Sequence, residues 1–206
     1  MARSKSSGRW LREHFSDDYV QRSKQDHYRS RAVYKLIELN EKDKLIRPGM
    51  RILELGAAPG GWTQYIDEQI QGDGVIVASD ILPMDSFAGV RFVEGDFREE
   101  DTLNRLIEAL GPKGADLVLS DMAPNLSGVS GTDQSRSLYL AELALDIALQ
   151  TLGEQGDFVT KLFQGEGFDN YIRDLRSNFQ KVLIRKPKAS RPRSREVYAV
   201  ALKRII

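Results

Sequence analysis

Several short stretches of this 206-residue chain carry residues whose types and spacing suit them to chemistry. The first is E-L-G-A-A-P-G-G-W-T, beginning at Glu54 and running through Gly60 and Trp62. Small residues let a backbone approach a ligand closely, and a helix starting there offers N–H groups with no partner in the helix. Gly56 is followed by two alanines and Pro59, so the dinucleotide fingerprint G-x-G-x-x-G is absent and a pyrophosphate cradle is not expected. The run G-V-I-V-A-S-D ends in Asp80, a carboxylate suited to a ribose diol. V-R-F-V-E-G-D ends in Asp96, placed to receive an adenine amino group. Taken singly, each is an ordinary cap or turn aspartate; the glycine loop reads as a ligand turn, with a tight turn that holds nothing as the lesser alternative. Three successive strand ends reading G, D and D together describe a pocket for an adenosine-bearing ligand without phosphates.

A fourth run, A-D-L-V-L-S-D-M-A-P-N, brings Asp121 to the same edge. Lys161 interrupts the apolar strand F-V-T-K-L-F. Burying a lone ammonium is expensive, so such a lysine is paired, functional or exposed at an edge. Glu196 follows the run K-P-K-A-S-R-P-R-S-R and reads equally as the carboxylate that neutralises it. Lys35 borders an apolar helix face built from Val33, Leu36 and Ile37, where a lysine ordinarily snorkels.

These residues need a frame. Apolar, β-branched runs predict strands over 51–56, 74–80, 90–96, 115–121, 156–163, 182–186 and 196–203. Helical spacing predicts helices over 16–28, 30–43, 60–71, 99–110, 138–152 and 168–178. Strands alternating with helices imply a mostly parallel sheet covered on both faces. The last two strands have no helix between them and are expected to form an antiparallel hairpin at one edge. In such a sheet ligands bind beyond the carboxyl ends of the strands, where the residues above cluster.

Composition sets the outer bounds. With 41% hydrophobic and 29% charged residues, the chain reads as globular rather than disordered. No apolar run approaches the roughly 18 to 20 residues that cross a bilayer, and no hydrophobic stretch follows the basic N-terminus, so neither a membrane span nor a secretory signal is expected. Cysteine is absent, which removes disulfides, thiolate metal sites and any cysteine nucleophile, and a cytoplasmic location is the plain reading. The net charge of zero hides a segregation. Residues 1–35 hold nine Lys/Arg against four Asp/Glu, residues 181–206 nine against one, and the middle 12 against 25. Basic ends on an acidic body suggest a polyanionic partner.

The glycine loop, S-D-M-A-P-N, V-T-K-L-F and S-R-A-V-Y-K-L, with Lys35 upstream and Glu196 downstream, resemble the FtsJ/RrmJ family of ribosomal RNA 2′-O-ribose methyltransferases across nearly the whole chain. The resemblance implies a Rossmann-like S-adenosylmethionine-dependent methyltransferase fold with a seven-stranded, mostly parallel sheet. It implies one domain over 1–206, with a basic N-terminal extension over about 1–30. The family's Lys-Asp-Lys-Glu tetrad falls on Lys35, Asp121, Lys161 and Glu196, and its cofactor positions on Gly60, Trp62, Asp80, Asp96 and Asp121. It further implies S-adenosyl-L-methionine as cofactor and no metal. The partner it implies is a uridine of 23S ribosomal RNA in the large ribosomal subunit, and the protein is expected to be a monomer.

Methyl transfer to a hydroxyl needs in-line approach and loss of a proton. Lys161 is the candidate acceptor; the competing reading keeps it charged, steering the hydroxyl. Phosphates would be met by Arg3, Lys5, Arg9, Arg12, Lys186, Lys188, Arg191, Arg193 and Arg195, and Trp10, Tyr28 or Tyr34 would stack on bases or pack. Among rivals, a carbon-5 pyrimidine methylase lacks its cysteine, and D-M-A-P-N lacks the aromatic residue an amino-group methylase would carry. A transfer-RNA ribose methylase would keep the same site. A catalytically silent RNA-binding protein is the main reading outside methyl transfer.

Overall fold

The computed structural model describes residues 17–205 apart from 73, 86, 125–127, 129 and 192; Arg3, Lys5, Arg9, Trp10 and Arg12 lie outside the described residues. Seven strands form one sheet in the order β3-β2-β1-β4-β5-β7-β6. They are β1 (Arg51–Leu55), β2 (Val75–Asp80), β3 (Val90–Glu94), β4 (Ala115–Ser120), β5 (Leu152–Phe163), β6 (Phe179–Arg185) and β7 (Glu196–Arg204). Neighbours from β3 to β5 are parallel, and β7 runs antiparallel to both β5 and β6. The expected hairpin is therefore present, with β6 on the rim and β7 slotted inside it.

Alternating residues on the strands feed two cores. Leu53, Val77, Val118 and Phe158 face α4 (Glu100–Leu110), α5 (Ser130–Thr151) and α6 (Phe168–Asn178). Ile52, Ile76, Leu117 and Val159 face α2 (Val33–Asp43) and α3 (Gly61–Ile70). A short helix, α1 (Asp18–Gln25), precedes them, capped by the Asp17 side chain accepting from the Tyr19 N–H. Strands buried on both faces read as continuous apolar runs, which is why β1, β2 and β4 were legible without alternation.

Three elements begin earlier than expected. α5 begins at Ser130 rather than 138, because the polar stretch S-G-T-D-Q-S-R-S carries no apolar stripe. Its hydroxyls bond back into the helix, Ser135 to the Gly131 carbonyl at 3.1 Å and Ser137 to the Asp133 carbonyl at 2.8 Å. β5 begins at Leu152 rather than 156, and its register against β4 shifts between Ala115 and Leu117, so a bulge masks its start. β6 begins at Phe179 rather than 182, since the α6 C-cap residue is already extended and its ring is buried.

Candidate active site

The order of the strands reverses between β1 and β4, so the crevice beyond their carboxyl ends is where a ligand fits. Gly56 and Gly60 bound the β1–α3 turn, both at positive φ (78° and 100°). A Cβ on Gly60 would lie 2.8 Å from the Phe87 ring and 2.9 Å from the Met84 sulfur, and one on Gly56 would lie 2.7 Å from the Met122 side chain. Glycine is therefore required twice, once for conformation and once for room. Gly60 is also the N-cap of α3 and provides no side-chain cap, which leaves the helix end to the loop. Trp62 lies in the first turn of α3, but its indole is buried against Tyr198 and donates to the Ala32 carbonyl at 2.8 Å.

Asp80 ends β2 and spans two loops: Oδ2 accepts from the Ala58 N–H and Oδ1 from the Leu82 N–H, each at 2.9 Å. Asp96, just past β3, is gripped by the Arg98 guanidinium, whose Nε lies 2.9 Å from both carboxylate oxygens. That hydrogen bond, outweighing the cost of partial burial, holds the Asp96 carboxyl below the usual range.

Asp121 follows β4, and its N–H is bonded to the Leu55 carbonyl across the crevice. Lys161 on β5 places Nζ 3.1 Å from Asp121 Oδ1 and also donates to the Asp121 main-chain carbonyl. The buried lysine is thus paired, not stranded at an edge. Burial opposes charge on Asp121, yet Lys161, Lys35 and the Tyr198 hydroxyl outweigh it and hold the carboxyl below its ordinary value. Lys35 on α2 pairs with Glu196 at the start of β7, Nζ to Oε1 2.8 Å, and sits 5.8 Å from the centre of the Tyr198 ring. Glu196 Oε1 also accepts from the Ser190 hydroxyl at 2.8 Å. Lys35, Asp121, Lys161 and Glu196, distant in sequence, therefore meet around Tyr198.

Tyr198 itself was missed from sequence. Its hydroxyl donates to Asp121 Oδ1, and burial together with Asp121 and Glu196 pushes its own ionisation far up. The signal was available: Tyr198 is two residues beyond Glu196, hence on the same face of β7, and stands directly opposite Lys161 in the register. Glu54 was missed too. It is buried on β1, accepts from the Thr63 hydroxyl at 2.6 Å, and is pushed up to about 8 by burial, with Asp121 and Asp80 adding to the shift.

Beside Lys35 and Glu196 opens a cleft of about 310 Å³, lined also by Arg31, Pro124, Phe163 and Arg191. Of the expected phosphate ligands, Lys186 is committed to the main-chain carbonyls of Ser194 and Glu196 and so ties the loop down instead. Tyr34 is buried with its hydroxyl on Asp26, and Tyr28 bonds Glu68, so packing claims them rather than stacking. Among the described residues no group of three or more acids or histidines is arranged to hold a metal, and no helix is long and apolar enough to cross a membrane.

A seven-stranded Rossmann-type sheet with a reversed β7 and an acid-lined crevice defines the methyltransferase class. The comparisons agree. Residues 28–204 match the model of the FtsJ-like methyltransferases. A protein of Cellvibrio japonicus named ribosomal RNA large subunit methyltransferase E is 59% identical over 200 residues, covering 97% of this chain and 95% of that protein. Its namesake in Chromohalobacter salexigens is 58% identical over 198 residues, 96% of this chain and 94% of that one. A crystal structure of a Plasmodium falciparum protein described as a ribosomal RNA methyltransferase superposes with a TM-score of 0.77 at 31% identity, over 86% of this chain and 98% of that one. The chain belongs to the FtsJ-like methyltransferase family.

Proposed function

We propose that this enzyme methylates the 2′-hydroxyl of a uridine ribose in 23S ribosomal RNA, acting as a one-domain monomer on the large ribosomal subunit in the cytoplasm. The observation that carries the reading is the convergence of Lys35, Asp121, Lys161 and Glu196 around Tyr198, at the mouth of a cleft flanked by arginines. Relatives at 58–59% identity bear the ribosomal RNA large subunit name, which supports the choice of substrate.

The crevice suits S-adenosylmethionine. The glycine turn is a cradle that a Cβ at Gly56 or Gly60 would fill, and the strand ends present carboxylates, which favour hydroxyls, amino groups and a cationic sulfur over phosphates. Gly60 and Trp62 would hold it through main chain, and Asp80, Asp96 and Asp121 through their carboxylates. Bound there, it supplies an electrophilic methyl on a positively charged sulfur.

The chain's own task is to bring a poor nucleophile into line and relieve it of a proton. Lys161 is the proton acceptor. As an ammonium its Nζ is held by two acceptors on Asp121; it takes the hydroxyl proton only after releasing one of its own, and the ammonium that re-forms lies against a carboxylate already ionised. Lys35 adds a second positive charge where the ribose oxygen becomes negative, and Glu196 holds Lys35 in place.

The deciding experiment supplies S-adenosylmethionine carrying a labelled methyl together with naked ribosomal RNA, large subunits or transfer RNA. Nuclease digestion should recover label on a uridine 2′-oxygen of the ribosomal RNA. Label on a base, or on transfer RNA alone, would overturn the assignment.

A further inference from the structure

Arg31 is used by none of the steps above, yet it is built into the mouth of the site. It precedes Lys35 by four residues and lines the same cleft. Its Nη1 lies 2.7 Å from Asp17 Oδ2, its Nη2 donates to the Ala189 carbonyl, and its Nε is buried without a hydrogen-bond partner. Arg191, on the loop between β6 and β7, reaches the same Asp17 oxygen, but at 3.9 Å and with a third of its side chain exposed. One carboxylate thus serves two guanidiniums, Arg31 tightly and Arg191 loosely.

The inference rests on the RNA reading above and on the balance of charge in the cleft. Lys35 and Glu196 cancel, and Arg31 and Asp17 cancel, so Arg191 leaves the cleft with an excess positive charge. An internal ribose carries a phosphodiester on the 3′-oxygen, next to the 2′-hydroxyl. Any strand that offers this hydroxyl to Lys161 therefore brings a negative charge into the same cleft. A guanidinium fork matches the two non-bridging oxygens of a phosphodiester.

We infer that Arg191 is the receptor for the phosphodiester 3′ to the reacting ribose, and that Asp17 parks Arg191 over the cleft until RNA takes it. Arg31 stays with Asp17 and with the Ala189 carbonyl, anchoring the loop that carries Arg191. After the exchange three neutral pairs line the cleft: Lys35 with Glu196, Arg31 with Asp17, and Arg191 with phosphate. No bond is made or broken; one ion pair is traded for another.

The test measures binding of a short single-stranded oligouridylate to the full chain by fluorescence anisotropy over a range of salt. Arg191→Gln should weaken it about 5- to 10-fold and flatten the slope of log affinity against log salt by about 0.7, the value of one single-strand phosphate contact. Asp17→Asn should strengthen it about threefold, since the parked arginine is released. Asparagine caps a helix as well as aspartate does, so α1 keeps its cap in this variant. In the Arg191→Gln background, Asp17→Asn still unpairs Arg31, so it should strengthen binding by clearly less than it does in the wild type. An oligomer with methylphosphonate linkages should lose its sensitivity to Arg191→Gln. Weaker binding by Asp17→Asn, or equal strengthening in both backgrounds, would overturn the exchange, the latter pointing to general electrostatics. Binding needs no methyl transfer: an enzyme that labels no ribose but shows this pattern would sink the ribose reading and keep the subsite.

Discussion

Replacing Glu54 by glutamine gives a sharp test of how the fold tolerates a buried acid behind its reaction centre. Glu54 is 2% exposed and its carboxyl is pushed up to about 8, from an ordinary 4.5, chiefly by burial. Between these values the folded chain holds a proton that the unfolded chain has released. Stability from this group is therefore complete below pH 4.5 and drains away as pH rises to about 8. The slope is about 1.4 kcal/mol per pH unit, so from pH 5.5 to 8 the wild type should lose about 3 kcal/mol through this residue. Glutamine cannot ionise. Its carbonyl can still accept from Thr63, while its amide brings a second buried N–H donor that costs about 1 kcal/mol if unmatched. Glu54→Gln should accordingly be the less stable protein by about 1 kcal/mol at pH 5.5 and the more stable by about 2 kcal/mol at pH 8.5. Urea unfolding across this range measures both curves, and contributions from other titrating groups cancel in the difference. Curves that stay parallel, with no crossing, would refute the reasoning.

The reaction centre yields further expectations. Lys161→Ala should abolish methyl transfer and leave cofactor affinity by calorimetry within about twofold, whereas Asp121→Ala should impair both, because its carboxylate faces Lys161 and the crevice. Gly60→Ala must place a Cβ 2.8 Å from Phe87 at a φ of 100°, so cofactor affinity should fall at least about tenfold, with about 1–2 kcal/mol of stability lost in a thermal melt. Tyr198→Phe removes a hydrogen bond that helps keep Asp121 ionised despite burial. Asp121 contributes stability at higher pH that is lost as pH falls through its lowered value. The variant should therefore lose about 1–3 kcal/mol at neutral pH, and the acid limb of its rate profile should move to higher pH.

Much of this was legible in the residue order, for physical reasons. β1, β2 and β4 are buried on both faces and so read as unbroken apolar runs, and each delivers a candidate site residue at its last paired position or directly after it. The positions of Asp80, Asp96 and Asp121 follow from strand ends alone. The meeting of Lys35 with Glu196 does not: it depends on how α2 packs across the sheet onto β7, a contact between residues 161 positions apart that no local pattern encodes, and only family resemblance suggested it. Tyr198 escaped because a tyrosine in an apolar strand looks like core, and it is core; its hydroxyl alone is polar chemistry. Asp96 shows the reverse case. Its position was read correctly, but the guanidinium of Arg98 already lying on it was not foreseen. Polar side chains two residues apart around a turn leave no periodic trace.

The backward course of β7 has one more consequence. In a sheet of parallel strands, every chain end at the reactive rim is a finish, and each must be followed by a helix that carries the backbone away. β7 brings a beginning to that rim, so Glu196 is located by its rung opposite Phe163, not by the length of the connection before it. The strand thus fixes the backbone of the acid, while Ser190 and Lys186 on the preceding loop hold its carboxylate and its carbonyl. The loop therefore bears on the acid through hydrogen bonds, and the sheet through its register.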